Sequence, residues 1–241
     1  MCSSDLNANF LVSRQRNQKN QKMLLTLGSA ASRLSSNNGL YGAGIHRYAV
    51  PGRNSCMKKT SYCLFETALG TCGIAWREAA DSASQPAVTA VQLPEASSQA
   101  TESRIARKAG SSRPGAPPHN IAELIEKIRR HLHGEVQDFG DVAIDLNGVA
   151  PFFREIYAAA REIPAGQTRT YGEIAKALGQ PNAAQEVGLA MANNPVPIII
   201  PCHRVAAAGG KPGGFSAHGG RASKAKLLAL EGAPVNLQLF S

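Results

Sequence analysis

Asn194-Pro195-Val196-Pro197-Ile198-Ile199-Ile200-Pro201-Cys202-His203-Arg204-Val205 is the stretch around which the rest of the chain organises itself. Three consecutive Ile between prolines predict a short, fully buried strand, with Cys202-His203 at its mouth. A Gly-rich segment follows, Gly209-Gly210-Lys211-Pro212-Gly213-Gly214-Phe215-Ser216-Ala217-His218-Gly219-Gly220, whose backbone can approach a ligand closely. A Cys beside a His can be activated as a thiolate nucleophile. Neighbours on a strand point opposite ways, and most buried Cys are inert core residues. The dipeptide alone leaves both readings open.

Toward the N-terminus, Pro151 suits the first position of a helix. Phe152, Ile156, Tyr157 and Ala160 give that helix one apolar face, and Ile163-Pro164-Ala165-Gly166 stops it. Thr170-Tyr171-Gly172-Glu173 has capping-box spacing, the Thr hydroxyl and Glu carboxylate capping a helix start reciprocally. That helix carries Ile174, Ala175 and Leu178 and ends at Gly179. After the turn Gln180-Pro181-Asn182, a second helix is predicted from about Ala183 to Asn193, with Ala184, Val187, Ala190 and Met191 on one side. Two short helices joined this way fit a helix-turn-helix and equally an ordinary αα-hairpin. A last helix is expected over about Arg221 to Glu231, before Gly232. Glu231 then meets the unfavourable end of the helix dipole, at a cost of a few tenths to about 1 kcal/mol. It is either a solvated surface carboxylate or one that holds an imidazole.

The whole chain has 241 residues, 43% hydrophobic, 18% charged and 5% aromatic. That supports a buried core and excludes a disordered protein. No run of about 18 apolar residues could span a bilayer, and five Cys make no disulfide framework. The formal charge of +9 suggests an anionic partner such as nucleic acid. Residues 1–56 hold seven basic residues and one acid, residues 57–149 ten and eleven, and residues 150–241 nine and five. The organisation expected is a leader over 1–56, an N-terminal α+β domain over 57–147 and a C-terminal domain over 148–241. The leader could be a targeting presequence, a nucleic-acid-binding arm or a disordered upstream extension before a start at Met57; the last is favoured, because Met57-Lys58-Lys59 runs straight into structured-looking sequence.

In the middle region, Ser61 to Thr67 and Thr71 to Arg77 read as a hairpin around Ala68-Leu69-Gly70, and Ala87 to Leu93 as a third strand. Residues 95–118 are rich in Ser, Ala, Arg and Pro, with Ser111 to Pro118 as a loop. Ile121, Leu124, Ile125, Ile128 and Leu132 have the spacing of an amphipathic helix, with His131 and His133 on its solvated end. Val142 to Leu146 reads as a last short strand.

The Pro-Cys-His-Arg-Val core of residues 201–205 resembles the active-site signature of the O6-alkylguanine-DNA alkyltransferases, the methylated-DNA–protein-cysteine methyltransferases. The likeness extends to Ile163–Gly166, Thr170–Ala175, Ala183-Ala184, Val187-Gly188, Phe215-Ser216 and Leu228–Gly232. It covers about residues 150–233 strongly and the region from about Tyr62 more loosely; residues 1–56 have no counterpart. The resemblance implies an α+β fold, with a small ribonuclease H-like N-terminal domain and a C-terminal helix-turn-helix, winged-helix-like domain. It implies DNA repair by direct reversal: irreversible, single-turnover transfer of an alkyl group from O6-alkylguanine, and O4-alkylthymine, in double-stranded DNA to Cys202. The damaged base is flipped out from a minor-groove complex. His203 takes the thiol proton through a water, Glu231 orients His203, and Tyr171 donates toward guanine N3. The Ser216 backbone N–H supports O6, within the loop Gly214-Phe215-Ser216. The carbonyls of Cys202 and Val205 read the exocyclic amine, and Asn194 braces the turn. Thr170, Ala184, Gln185 and Arg204 fall on the DNA-facing set. No cofactor, metal or membrane is implied, and a monomer is expected. The compartment is the cytoplasm, at the nucleoid if bacterial, with organellar targeting through residues 1–56 left open.

Several features depart from the family pattern. Gln185 stands where members place an Arg that fills the gap left by the flipped base, and Glu186 adds a carboxylate near phosphates. Weaker DNA affinity or slower flipping is therefore expected. Phe215 replaces a common Tyr, and Ala217-His218 look like an insertion. Cys63 and Cys72 do not match the zinc ligands of some members and are read as strand packing residues. Two rival functions remain to be separated: a non-enzymatic alkylguanine-binding protein, against which the intact Cys202 argues, and a thiol hydrolase, which needs an oxyanion hole.

Overall fold

A computed structural model describes residues 60–79, 84–110, 114–209 and 211–234. The leader, the start assigned to Met57, the beginning of the loop expected over Ser111–Pro118, and Gly210 lie outside them. The described residues fall in one compact unit.

β1 (Thr60–Thr67) and β2 (Gly70–Arg77) form the predicted antiparallel hairpin, and β3 (Ala87–Gln92) pairs with β2. Alternation sends Phe65, Cys72, Ile74 and Trp76 to one face, in a buried cluster with Ile121, Leu124, Ile125, Ile128 and Leu132. The latter come from α2 (His119–Leu132). Each contributes roughly 1.5–3 kcal/mol of apolar burial. The opposite face carries Tyr62, Ala75 and Ala90 against Ile105 and Ala109 of α1 (Ser98–Ala109). Gly73 makes this possible: a Cβ there would meet Ile105 Cβ at 2.8 Å. The sheet is thus covered by a helix on both sides.

α1 was not expected. Its signals are the Ser97 cap, which accepts from the Ala100 N–H, the sparse stripe Thr101, Ile105, Ala109, and the left-handed Gly110 that ends it. Only one residue of that stripe is a large hydrophobe, so a composition dominated by Ser, Arg and Ala hides it. The strand expected at Val142–Leu146 reduces to a single parallel bridge, Val88 to Ile144. It is held by two backbone hydrogen bonds, Val88 N to Ala143 O and Asp145 N to Val88 O.

α3 (Pro151–Arg161) begins with proline at its first turn, as expected. Its Tyr157 hydroxyl donates to the Ala190 carbonyl at 2.9 Å, tying it to α5 (Ala184–Ala192). Between them, β4 (Arg169–Thr170) leads into α4 (Tyr171–Ala177), whose capping box is formed on both sides. β4 pairs in parallel with β5 (Val205–Ala206), directly after the Cys-His segment. α6 (Gly220–Leu230) closes the described chain. One hydrophobic cluster runs from Phe65 in the sheet to Leu227 in α6, so the sheet half and the helical half share a core.

The three isoleucines are buried as expected, at 1%, 2% and 0% exposure, but they are not a strand. The Ile200 N–H donates to the Val196 carbonyl, closing a turn, and Ile198 has φ +75°, the only positive φ outside glycine among the described residues. Pro197 and Pro201 cannot donate to a ladder, so the run folds into a buried reversal. A β-branched residue in this region carries strain of about 1–3 kcal/mol.

Candidate active site

Asn194 holds this reversal together. Its Nδ2 donates to the Ile200 carbonyl at 2.7 Å and its Oδ1 accepts from the Val196 N–H at 3.0 Å. A further bond, Val91 N–H to Pro195 O at 2.9 Å, ties the loop to β3. The chain then enters a single 3-10 turn, Cys202–Arg204, so Cys202 and His203 do not have the opposed directions of strand neighbours.

Cys202 is buried at the wall of a cavity of about 420 Å³, lined also by Asn194, Pro195, Phe215, Ser216 and Gln92. Burial pushes its thiol above the ordinary cysteine value, while the Asn194 side chain and the Lys224 charge pull it back. The resting group is a thiol, so attack requires a base. Cys63 and Cys72 sit in β1 and β2, where burial raises them to about 11 and about 12, as inert packing thiols.

Close to Cys202 in the chain, His203 and Arg204 meet Glu231, the residue that caps α6 at its C-terminus. Its carboxylate is buried and accepts from His203 Nε2 at 2.9 Å, Arg204 Nε at 2.9 Å and Arg204 Nη2 at 2.7 Å. His131 Nε2 lies 3.1 Å from the same Oε1. Burial alone would raise the Glu231 carboxyl, but the donors from His131, His203 and Arg204 hold it well below the usual carboxylate range. An ionised Glu231 requires a proton on His203 Nε2, which leaves the lone pair on Nδ1. That nitrogen is buried and makes no hydrogen bond among the described residues. Burial holds the imidazole below its usual value, so it rests neutral. A thiol beside a neutral imidazole oriented by a buried carboxylate can transfer a proton and attack an electrophilic carbon.

The other expected residues fall in three places. Phe215 and Ser216 line the cavity with Cys202. Tyr171, half-buried at the start of α4, packs its hydroxyl on the Gly213-Gly214 backbone. Gly213 has φ +68°, and a Cβ there would lie 2.5 Å from the phenolic oxygen. Val205 is buried, and its carbonyl already accepts from Lys224 Nζ at 2.6 Å. On α5, Gln185 and Glu186 are exposed and Ala184 half-buried, while the Thr170 hydroxyl is engaged in the capping box with Glu173.

Two expectations are corrected. Arg204 does not face DNA: it is 7% exposed, and besides its two bonds to Glu231 it donates through Nη1 to the Ile163 carbonyl. A buried carboxylate needs a counter-charge, and Arg204 supplies it. His131 is not on a solvated helix end; it is 2% exposed, whereas His133 is exposed. Lys224, fully buried on α6, was missed too. Its signal was position: it lies one turn before Leu227 and Leu228, on the same apolar face.

The domain model described as 6-O-methylguanine DNA methyltransferase, DNA binding domain, matches residues 151–233. The methylated-DNA–protein-cysteine methyltransferase of Mycolicibacterium paratuberculosis is 44% identical over 125 residues, which cover 51% of this chain and 73% of that protein. The chain belongs to the methylated-DNA–protein-cysteine methyltransferase family. Among solved members, the O6-methylguanine methyltransferase of Mycobacterium tuberculosis aligns with TM-score 0.56 and 34% identity, over 76% of this chain and 99% of that one. The structure of Mycobacterium tuberculosis OGT in complex with DNA aligns with TM-score 0.55 and 34% identity, over 75% and 99%. In this methyltransferase the matched segment begins at the first residue of α3 and ends just beyond Glu231, while His131 lies outside it.

Proposed function

We propose that this methyltransferase repairs DNA by moving an alkyl group from O6-alkylguanine to Cys202. The observation that carries the reading is the buried chain of groups behind that thiol: Glu231 fixes the His203 proton on Nε2, leaving Nδ1 as the base. A bond forms between Cys202 Sγ and the alkyl carbon as the carbon–O6 bond breaks. The thiol proton passes, through a water, to His203 Nδ1. The electron pair left on the base is stabilised by donors placed where that charge develops, the Ser216 N–H at O6 and the Tyr171 hydroxyl at N3. Thioether formation consumes the protein after one turnover, and no cofactor enters. O4-alkylthymine would enter by the same displacement. The guanine amine would share the Val205 carbonyl with Lys224, as a carbonyl oxygen has two lone pairs.

DNA is the partner, reached through α4 and α5, with Gln185 as the residue that fills the gap left by a flipped base. Burial on both sheet faces supports a ribonuclease H-like reading of the sheet half, and the β4–β5 pair beside α4 and α5 supports a winged-helix-like reading of the other. We read the active form as a cytoplasmic monomer. Among the described residues no helix is long and apolar enough to cross a membrane.

The test is intact-mass measurement after incubation with DNA carrying O6-methylguanine. A single adduct of one CH2, lost in Cys202→Ala, supports the transfer. DNA binding without an adduct supports the lesion-binding alternative and overturns it.

A further inference from the structure

We propose that His131 is a positioning residue for the catalytic base, supplied by the sheet half and acting through Glu231. The inference rests on the transfer reading and adds to it a residue outside the matched segment.

His131 lies in the last turn of α2 with its side chain 2% exposed, against a Glu231 side chain 1% exposed. Its Nδ1 accepts from the Gln137 N–H at 3.2 Å, so the proton of the neutral ring is on Nε2, 3.1 Å from Glu231 Oε1. The edge of Phe139 meets the ring at 5.2 Å and 76°. Both faces of its role are therefore set: Nδ1 is held as an acceptor, Nε2 as a donor.

Oε1 of Glu231 consequently takes three donors, from His131, His203 and Arg204 Nη2. A carboxylate oxygen has about two lone-pair sites, so these donors compete. Two consequences follow. His131, from α2, gives the Glu231 carboxylate a neighbour outside α6 and the 3-10 turn, so the His203 ring has a fixed partner. By drawing on Oε1, it also limits how far Glu231 favours the imidazolium, which keeps the base neutral and ready. The charged and titratable groups facing His131 are Glu231 from the end of α6 and His203 and Arg204 from the 3-10 turn; on its own helix, Arg130 is paired outward with Glu135.

The test compares His131→Leu, which removes the donor, with His131→Gln, which retains an N–H donor and an acceptor. Single-turnover transfer rates are read from about pH 5 to about pH 9, alongside melting temperature. The Leu variant is expected to lose about tenfold or more in rate, a part of what a general base supplies. The acid limb of its profile should move to higher pH, and the Gln variant should restore both to within about threefold. A Leu variant with the rate and profile of the unsubstituted protein overturns the proposal. So does a slow Leu variant that keeps the original profile and is not rescued by Gln, the pattern of a purely structural role. If the Leu variant does not fold, the Gln variant decides: a loss beyond about tenfold refutes the proposal. Nitrogen-15 NMR of the His203 ring without DNA reads the same effect independently of alkyl transfer. The His203 ring should take up its second proton at higher pH in the Leu variant and at the original pH in the Gln variant; an unchanged titration in the Leu variant also overturns it. An unsubstituted protein that forms no Cys202 adduct would defeat the proposed function, and the NMR result would still judge His131.

Discussion

Replacing Glu231 by Gln should separate the two jobs of this carboxylate, stability and catalysis. The side chain is 1% exposed and receives two bonds from Arg204, one from His203 and one from His131. Glutamine is nearly the same shape but brings no charge and turns one oxygen into a donor. Arg204, 7% exposed, is then left buried without its counter-charge. Breaking a buried pair this way costs about 3–5 kcal/mol, against a typical net stability of about 5–15 kcal/mol. For a unit of this size, that lowers the melting temperature by about 6–20 °C. The pH dependence has a definite sign. The folded pKa of Glu231 is depressed, so its stabilisation is complete above the unfolded carboxyl value of about 4.3 and fades as pH falls toward the folded value. The gap between the two proteins should be widest near neutral pH and narrow in acid. Urea unfolding at a series of pH values measures it, and single-turnover transfer at a temperature where both are folded should show a slower rate in the variant. A variant that melts within about 2 °C of the original and transfers alkyl at the same rate would refute the reasoning, since the carboxylate would then neither pair Arg204 nor orient His203.

Three further outcomes are expected. Gly213→Ala places a Cβ against the Tyr171 hydroxyl at a left-handed position; it should cost about 1 kcal/mol or more in a thermal melt and slow transfer by displacing Tyr171. Gln185→Arg should tighten binding to lesion DNA and add about one unit to the salt slope; unchanged affinity and repair rate would remove the idea that Gln185 weakens this protein. Lys224 is fully buried, and burial lowers its pKa to about 8. Its folded value lies below its unfolded one, so the unsubstituted protein should gain up to about 3 kcal/mol, relative to Lys224→Met, as pH rises from about 8 to about 10.5. Unfolding curves across that range decide it.

Local signals were legible wherever the physics is local. The capping box at Thr170, proline opening α3, and the hairpin of β1 and β2 need only neighbours in sequence. The same holds for the candidate nucleophile, where Cys202 follows a buried apolar run. Features set by distant partners were not legible. Nothing around His131 distinguishes a solvated histidine from one that reaches a carboxylate a hundred positions on, and Arg204 looks like any surface Arg until Glu231 is opposite it. The three isoleucines announce burial, but period alone cannot tell a strand from a buried reversal. The prolines on either side, which deny a ladder its donors, were the better guide.

Ile198 shows what such a reversal demands of sequence. Its backbone prefers Gly or Asn, and its surroundings require a large aliphatic group. Losing the side chain forfeits about 2–5 kcal/mol of packing, more than the strain it would relieve. Selection from a saturation library at this position should therefore keep Ile and its nearest aliphatic relatives and discard the residues best suited to the turn. A loop shaped by what it packs against has no slack of its own. It holds Cys202 in a set direction at the cavity wall, which Phe215 and Ser216 of the glycine-rich segment also line.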